Sequence, residues 1–125
     1  MKLIKNRNPR LHPRFSVDNG VLVLIEPHAA APIQLQMVNI SEGGCAFIYN
    51  GSKKDLKASG FLSIQFKDIL CLKRVGFVTK SDSLLSDSND KKEQLRIRNV
   101  EFQWIDILDQ KKLKEFIKQN AIVRE

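Results

Sequence analysis

Two short motifs contain the residues whose chemistry is most informative. Residues 10–14 read R-x-x-x-R, and residues 39–44 read N-x-S-x-x-G. Each arginine presents a planar fork of N–H donors that fits phosphate oxygens or the O6/N7 edge of guanine, and it keeps its charge at any cellular pH. The second motif offers a side-chain amide, a hydroxyl and a glycine that permits close approach of the backbone. Together these groups suit an anionic purine nucleotide.

The positive charge of the chain is concentrated at its start. The sequence of 125 residues has a formal net charge of +7, and its first 14 residues contain five basic residues and no acidic one. Because the rest of the chain is close to neutral, we expect an anionic partner to meet the N-terminal segment. A surface that tracks a polynucleotide along its whole length is not indicated.

Composition and spacing exclude several functional classes. A length of 125 residues with 42% hydrophobic residues predicts a single domain. No apolar run is long enough for a membrane span or a signal peptide, so we expect a cytoplasmic protein without membrane insertion. Cys45 and Cys71 are interpreted as reduced core residues, since neither they nor the histidines have metal-ligand spacing. No catalytic carboxylate pair, partnered nucleophile or phosphate-loop motif is present, which argues against an enzyme.

The first motif begins within an N-terminal arm. Residues 1–13 are predicted to form a flexible basic arm of the domain, because Pro9 and Pro13 remove backbone donors and favour extended geometry. The apolar and β-branched residues that follow, as far as Ile25, predict a long first strand with a bend at residues 18–20. Residues 14–125 are assigned to a single barrel domain.

The second predicted strand carries the N-x-S-x-x-G motif. Its apolar residues alternate with glutamines up to Met37, and then the alternation shifts by one residue. This shift predicts a bulge that turns Asn39 and Ser41 outward towards a ligand. The alternative is ordinary turn chemistry, in which these side chains bond their own backbone before the glycines.

The rest of the chain predicts further strands and one helix. One strand ends in a hairpin turn at Asn50–Gly51, and three more are predicted over residues 60–66, 70–80 and 95–104. Residues 81–94 are predicted to form an exposed polar loop. A terminal helix follows, capped by Asp106 or Asp109. A phase change between Ile97 and Val100 predicts an irregularity in the last strand. The aromatic residues at alternating positions, predicted as core, are Phe47, Phe77, Phe102 and Trp104. The fold class is therefore all-β: a small six-stranded antiparallel β-barrel with a C-terminal α-helix.

The two motifs, in this order, resemble those of the PilZ domain family of bacterial receptors for cyclic di-GMP. The resemblance extends to the arm before the barrel, to a V-x-F sequence at residues 100–102 and to the closing helix, and so covers nearly the whole chain. It implies cyclic di-GMP as ligand, no cofactor, and an unidentified downstream protein as partner.

The resemblance also implies the binding residues. In the family, arginines of the arm wrap the ligand by contacts to guanine and phosphate, while the second motif meets the other guanine and the sugar-phosphate from the barrel. The residues implied here are Arg10 from the arm, Arg14 where the arm joins the barrel, and Asn39, Ser41 and Gly44 from the barrel, with Arg7, His12 and Gly43 as further candidates. Many members have an arginine where this chain has Pro9, so the number of ligand molecules bound stays open. A solvated basic tail is the alternative interpretation of the arginines.

We therefore predict a cyclic di-GMP receptor or adaptor, in which ligand binding orders the arm and alters a protein-interaction surface. Two alternatives remain. A small basic barrel that binds single-stranded nucleic acid requires exposed aromatic residues, and the aromatic residues here fall mainly at buried positions of the pattern. A PilZ-like adaptor could also act through protein contacts without binding a nucleotide.

Overall fold

A computed structural model describes residues 12–25, 33–85 and 94–125 of the chain. Arg7 and Arg10 of the predicted site lie outside these residues. The elements are β1 (Phe15–Val17), β2 (Val21–Ile25), β3 (Ile33–Ser41), β4 (Gly44–Asn50), a 3-10 helix (Lys53–Asp55), β5 (Ser59–Phe66), β6 (Ile69–Leu84), β7 (Leu95–Gln103), α1 (Ile107–Asn120) and β8 (Ala121–Arg124). In this described part, no helix has the length and apolar character that a membrane crossing requires.

Six strands close into an antiparallel barrel in the order β2-β5-β6-β7-β4-β3, with β3 pairing back to β2. The first part of β3 pairs with β2 and the second part with β1. Strands β1 and β2 are thus one long strand bent at residues 18–20, where the Gly20 N–H donates to Asp18 Oδ1 at 2.8 Å. The predicted barrel, its terminal helix and this bend are confirmed.

Alternate apolar side chains of the strands fill the barrel, and apolar side chains on one face of the helix are buried. Val21, Val23 and Ile25 of β2 are all buried, while the residues between them are half-buried. Helix α1 begins after Asp106, whose Oδ1 accepts the N–H of Asp109 at 2.8 Å. Its buried residues are Leu113, Phe116 and Ile117. These three residues are spaced so that they lie on one face of the helix, and this is the face that is buried.

The predicted hairpin at Asn50–Gly51 is wrong. Strand β4 pairs with β3 and β7, whereas the next strand, β5, pairs with β2 and β6. Gly51, at φ +133°, leads instead into the 3-10 helix, whose first turn is capped by Ser52 and Asp55. The glycine serves a crossover between non-adjacent strands, which a dipeptide signal cannot distinguish from a hairpin.

The change in apolar alternation between Ile97 and Val100 of β7 is caused by a buried arginine and not by the predicted irregularity. Strand β7 pairs with β4 without interruption, and Arg98 occupies an interior position with 2% of its surface exposed. Its guanidinium donates to Asp82 Oδ2 at 2.7 Å and to the carbonyl oxygens of Lys57 at 2.8 Å and Lys53 at 3.0 Å. A charged residue at an interior position of β7 therefore interrupts the apolar alternation in the sequence, although the strand itself is regular.

The polar segment predicted as a loop over residues 81–94 is partly strand. Strand β6 continues to Leu84, and its register against β7 shifts between Thr79 and Ser81. Residues 86–93 of the predicted loop lie outside the described residues. At this end of β6, Asp82 turns inward to Arg98, whereas Ser81 and Ser83 are exposed and are held by the pairing of β6 with β7.

Candidate functional site

The arm meets the barrel at Arg14. Strand β1 pairs with the second part of β3, with Ser16 opposite Asn39. Nη1 of Arg14 donates to Asn39 Oδ1 at 2.7 Å and to Asn99 Oδ1 of β7 at 3.3 Å. The structure therefore joins a residue of the first motif directly to a residue of the second.

Asn39 is covered by other residues rather than open to a ligand as predicted. The register of β3 against β4 shifts between Met37 and Asn39, which confirms the bulge, but only 8% of the Asn39 surface is exposed. Besides Arg14, it contacts Glu125: Asn39 Nδ2 donates to Glu125 Oε1 at 3.2 Å. Strand β8 places Glu125 there, and the Glu125 N–H donates to the Arg14 carbonyl at 2.8 Å. The Glu125 carboxylate therefore occupies one of the two donor positions of this amide.

Ser41 is also buried, with 4% of its surface exposed, so its hydroxyl is not open to a ligand as predicted. Its Oγ accepts the N–H groups of Gly43 at 3.1 Å and Gly44 at 3.2 Å, and it donates to the Gly44 carbonyl at 3.3 Å. This is the turn chemistry considered as the alternative. Ser41 shapes the turn between β3 and β4 that borders the site.

The two glycines of the turn have different reasons for lacking a side chain. A Cβ on Gly44 would lie 2.0 Å from the Val100 carbonyl oxygen of the neighbouring strand β7. A Cβ on Gly43 would lie 2.9 Å from His12 Cδ2, a side-chain atom of the arm. Gly44 is therefore needed for strand packing, whereas Gly43 lets His12 lie against the turn.

We expect Gly44→Ala to lower the free energy of unfolding by about 1–3 kcal/mol, because the new methyl group meets a backbone carbonyl that cannot rotate away. Urea denaturation measures the change. Gly43→Ala is the matched control, and its effect should be smaller because the His12 side chain can move. Equal losses in the two variants would contradict this distinction.

Two open grooves flank the turn at residues 42–43. The first has a volume of about 530 Å³ and is bordered by Arg14, Ser41, Lys80 and Glu101, among others. The second has a volume of about 440 Å³ and is bordered by Glu42, Trp104, Gln110 and Lys114, among others. His12, Gly43 and Phe102 line both grooves. Each volume lies in the range of roughly 300–1,000 Å³ that is usual for small-molecule sites.

The charged groups of the grooves are accessible to a ligand. Lys80 lies 3.9 Å from Glu101, and Lys114 lies 3.9 Å from Glu42, and each of these four side chains is more than two-fifths exposed. Exposed pairs of this length contribute little to stability, so a ligand can exchange them at small cost. Among residues 12–25, 33–85 and 94–125, no group of three or more His, Cys, Asp or Glu side chains could hold a metal ion.

Cys45 lies in the core behind Arg14 and has no exposed surface. Burial raises the pKa of its thiol to about 12, although the charge of Arg14 acts in the opposite direction. The thiol therefore stays protonated at neutral pH and does not act as a nucleophile. Cys71 is half-buried, and both cysteines are reduced, as predicted.

Trp104 borders the second groove, although the strand alternation predicts it as a core residue. It is 94% exposed and has a left-handed backbone conformation, with φ +59°. Strand β7 ends one residue earlier, at Gln103, so the alternation no longer applies. The capping residue Asp106 was the available signal that the strand had already ended.

Comparison with known proteins identifies the fold. No family model matches the chain, and a search of the curated proteins found no match. Among solved structures, the PilZ domain of YcgR from Escherichia coli with c-di-GMP superposes with a TM-score of 0.70 and 12% identity, over 90% of this chain and 91% of that one. The chain has the PilZ fold.

Two further structures share the PilZ fold of this chain. The c-di-GMP complex of K. pneumonia MrkH matches with a TM-score of 0.69 and 15% identity, over 90% of this chain and 52% of that one. The Bacillus subtilis inhibitor of motility, MotI/DgrA, matches with a TM-score of 0.54 and 19% identity, over 92% of this chain and 52% of that one. The chain thus spans about half the length of the MrkH and MotI chains.

Proposed function

We propose that this chain is a non-catalytic receptor for cyclic di-GMP, which binds in the grooves beside Arg14 and Asn39. The observation that carries the proposal is the 2.7 Å hydrogen bond between these side chains, which joins the two sequence motifs at one place on the barrel. The fold shared with the YcgR PilZ domain, whose structure was solved with c-di-GMP, supports it.

Arg14 is suited to exchange its partners for a nucleotide. Two of the acceptors that it uses are neutral amide oxygens, those of Asn39 and Asn99. A phosphate oxygen is a stronger acceptor for a guanidinium than an amide oxygen, because its bond is charge-assisted on both sides. Arg10, which lies outside the described residues, is proposed to close over the ligand from the arm of residues 1–13.

Ligand binding is proposed to act as a switch through the arm. Cyclic di-GMP carries two phosphates and two guanines, so an arm that folds over it gains contacts that the barrel surface alone does not provide. The ordered arm then offers a different surface to a downstream protein in the cytoplasm.

A second candidate function is an adaptor with this fold that binds no nucleotide. The observation that favours it is the Glu125 carboxylate, which accepts from the Asn39 amide where the receptor would bind its ligand. In this adaptor, β8 would keep the site closed and protein contacts alone would carry the function.

Isothermal titration of the protein with cyclic di-GMP, GTP and a short single-stranded oligonucleotide tests these functions. The receptor proposal predicts saturable binding of cyclic di-GMP and far weaker binding of the other two. Binding of the oligonucleotide with a steep salt dependence would instead support a nucleic-acid function. Absence of binding with all three would support the adaptor.

A further inference from the structure

The exposed Trp104 is not explained by packing. At 94% exposure the indole buries almost none of its surface, although a tryptophan gains more from burial than most side chains. Its backbone is also strained, because φ +59° disfavours any bulky side chain. Two independent costs at one position point to a functional reason for the residue.

The groove beside Trp104 has the chemistry of a base-binding site. Glu42 supplies carboxylate oxygens that can accept both N1–H and N2–H of guanine, a pair of adjacent donors that adenine does not offer because its N6 amino group lies beside an acceptor. Lys114, on the facing helix α1, supplies a positive charge for phosphate. The groove adjoins the one at Arg14, since His12, Gly43 and Phe102 line both.

We propose that Trp104 stacks on a guanine base of the bound cyclic dinucleotide and that Glu42 accepts hydrogen bonds from the edge of that base. This inference rests on the proposed receptor function and names a second part of its site. Stacking on an aromatic side chain followed by hydrogen bonding along the base edge is a general mode of reading a purine outside a duplex.

A protein-docking role for the exposed indole is the competing explanation. Ile107 and Leu108 nearby are 72% and 68% exposed, so an apolar surface is present at the start of α1. These two residues do not line the second groove, whereas Trp104 does. The position of the indole at the groove, beside a carboxylate and an ammonium group, favours a small polar ligand.

Intrinsic fluorescence tests the stacking directly, because Trp104 is the single tryptophan of the chain. Titration with cyclic di-GMP should quench or shift its emission, with a midpoint that matches the dissociation constant from calorimetry. GTP at the same concentrations should change the emission much less. A flat signal in a sample that binds cyclic di-GMP by calorimetry would overturn the inference.

Three variants at this position separate function from folding. Trp104→Ala should weaken the binding of cyclic di-GMP about 5- to 150-fold, the range for loss of one aromatic stacking partner, whereas Trp104→Phe should retain most of the affinity. Trp104→Gly should leave the melting temperature unchanged or raise it, because glycine accepts this backbone conformation, yet bind weakly. Phe61→Ala, at an exposed aromatic residue that borders neither groove, is the matched control.

Glu42→Ala should reduce the preference for cyclic di-GMP over cyclic di-AMP, because guanine can donate two adjacent N–H groups to the carboxylate and adenine only one. Normal affinity in Trp104→Ala would overturn the stacking role and assign the indole to a protein contact, while the receptor function would stand. No binding of cyclic di-GMP to the unaltered protein in calorimetry would overturn the receptor function, and the inference with it.

Discussion

Replacement of Asp82 by alanine is expected to lower the free energy of unfolding by about 3–5 kcal/mol, the usual cost of breaking a buried ion pair from one side. The Asp82 carboxylate accepts hydrogen bonds from Tyr49 Oη at 2.5 Å, Arg96 Nε at 2.6 Å and Arg98 Nε at 2.7 Å. The side chains of Asp82 and Arg98 are only 5% and 3% exposed. Without the carboxylate, the charge of Arg98 stays inside the barrel end and loses its anionic partner.

Urea denaturation measures this loss, and the chain contains a matched control. Lys80 and Glu101 form an ion pair between the same two strands, β6 and β7, but their side chains are 61% and 52% exposed. Glu101→Ala should therefore change the free energy of unfolding by less than about 1 kcal/mol. A loss in Asp82→Ala as small as in this control would show that solvent reaches the inner pair.

The same carboxylate should make stability depend on pH. Burial raises the pKa of Asp82, but hydrogen bonds from Tyr49, Arg96 and Arg98 lower it by more, and the resulting pKa lies below the ordinary value. The stabilisation is complete above the unfolded pKa of about 3.9 and is lost as the pH falls through the folded pKa. The free energy of unfolding should accordingly fall less steeply with decreasing pH in Asp82→Asn than in the unaltered protein.

The inner ion pair also supports the candidate site. In the β6–β7 ladder, Asp82 lies opposite Arg98 and the preceding residue Ser81 lies opposite Asn99. Because successive residues of a strand face opposite sides, the Asp82–Arg98 pair points inward and Asn99 points outward. There Asn99 donates to Ser81 Oγ at 3.0 Å and accepts from Arg14. The pair therefore holds the register that presents Asn99 to Arg14.

Local sequence patterns predicted the parts of the fold in which burial alternates regularly. The bend at residues 18–20 and the bulge after Met37 both appear in the sequence as breaks in a period of two. Arg98 departs from this alternation because its burial depends on acceptors from distant segments, the carbonyls of Lys53 and Lys57 among them. Strand β8 was missed because it is short, largely exposed and held by its pairing with β1.

The sequence could predict which residues make up the candidate site, but not whether their side chains are exposed to solvent. The two motifs indicate which chemical groups are present, and the structure confirms that Arg14 and Asn39 meet. Whether Asn39 is open to solvent depends on β1 and Glu125, which cover it from remote positions of the chain. Trp104 escaped prediction because its exposure follows from where β7 ends, a boundary that alternation alone does not locate.

Replacement of Arg14 by alanine is expected to weaken cyclic di-GMP binding by about 1.5–3 kcal/mol, or roughly 10- to 150-fold, as for loss of a hydrogen bond to a charged group. Arg10→Ala should have a similar effect, because Arg10 is the first arginine of the same motif. Arg14→Lys should recover only part of the affinity, because lysine keeps the charge but lacks the planar fork. Arg74→Ala, outside both grooves, is the control, and melting curves verify folding. Unchanged calorimetric affinity in both Arg10→Ala and Arg14→Ala would remove the arm from the mechanism, because the charge that it contributes would then be dispensable.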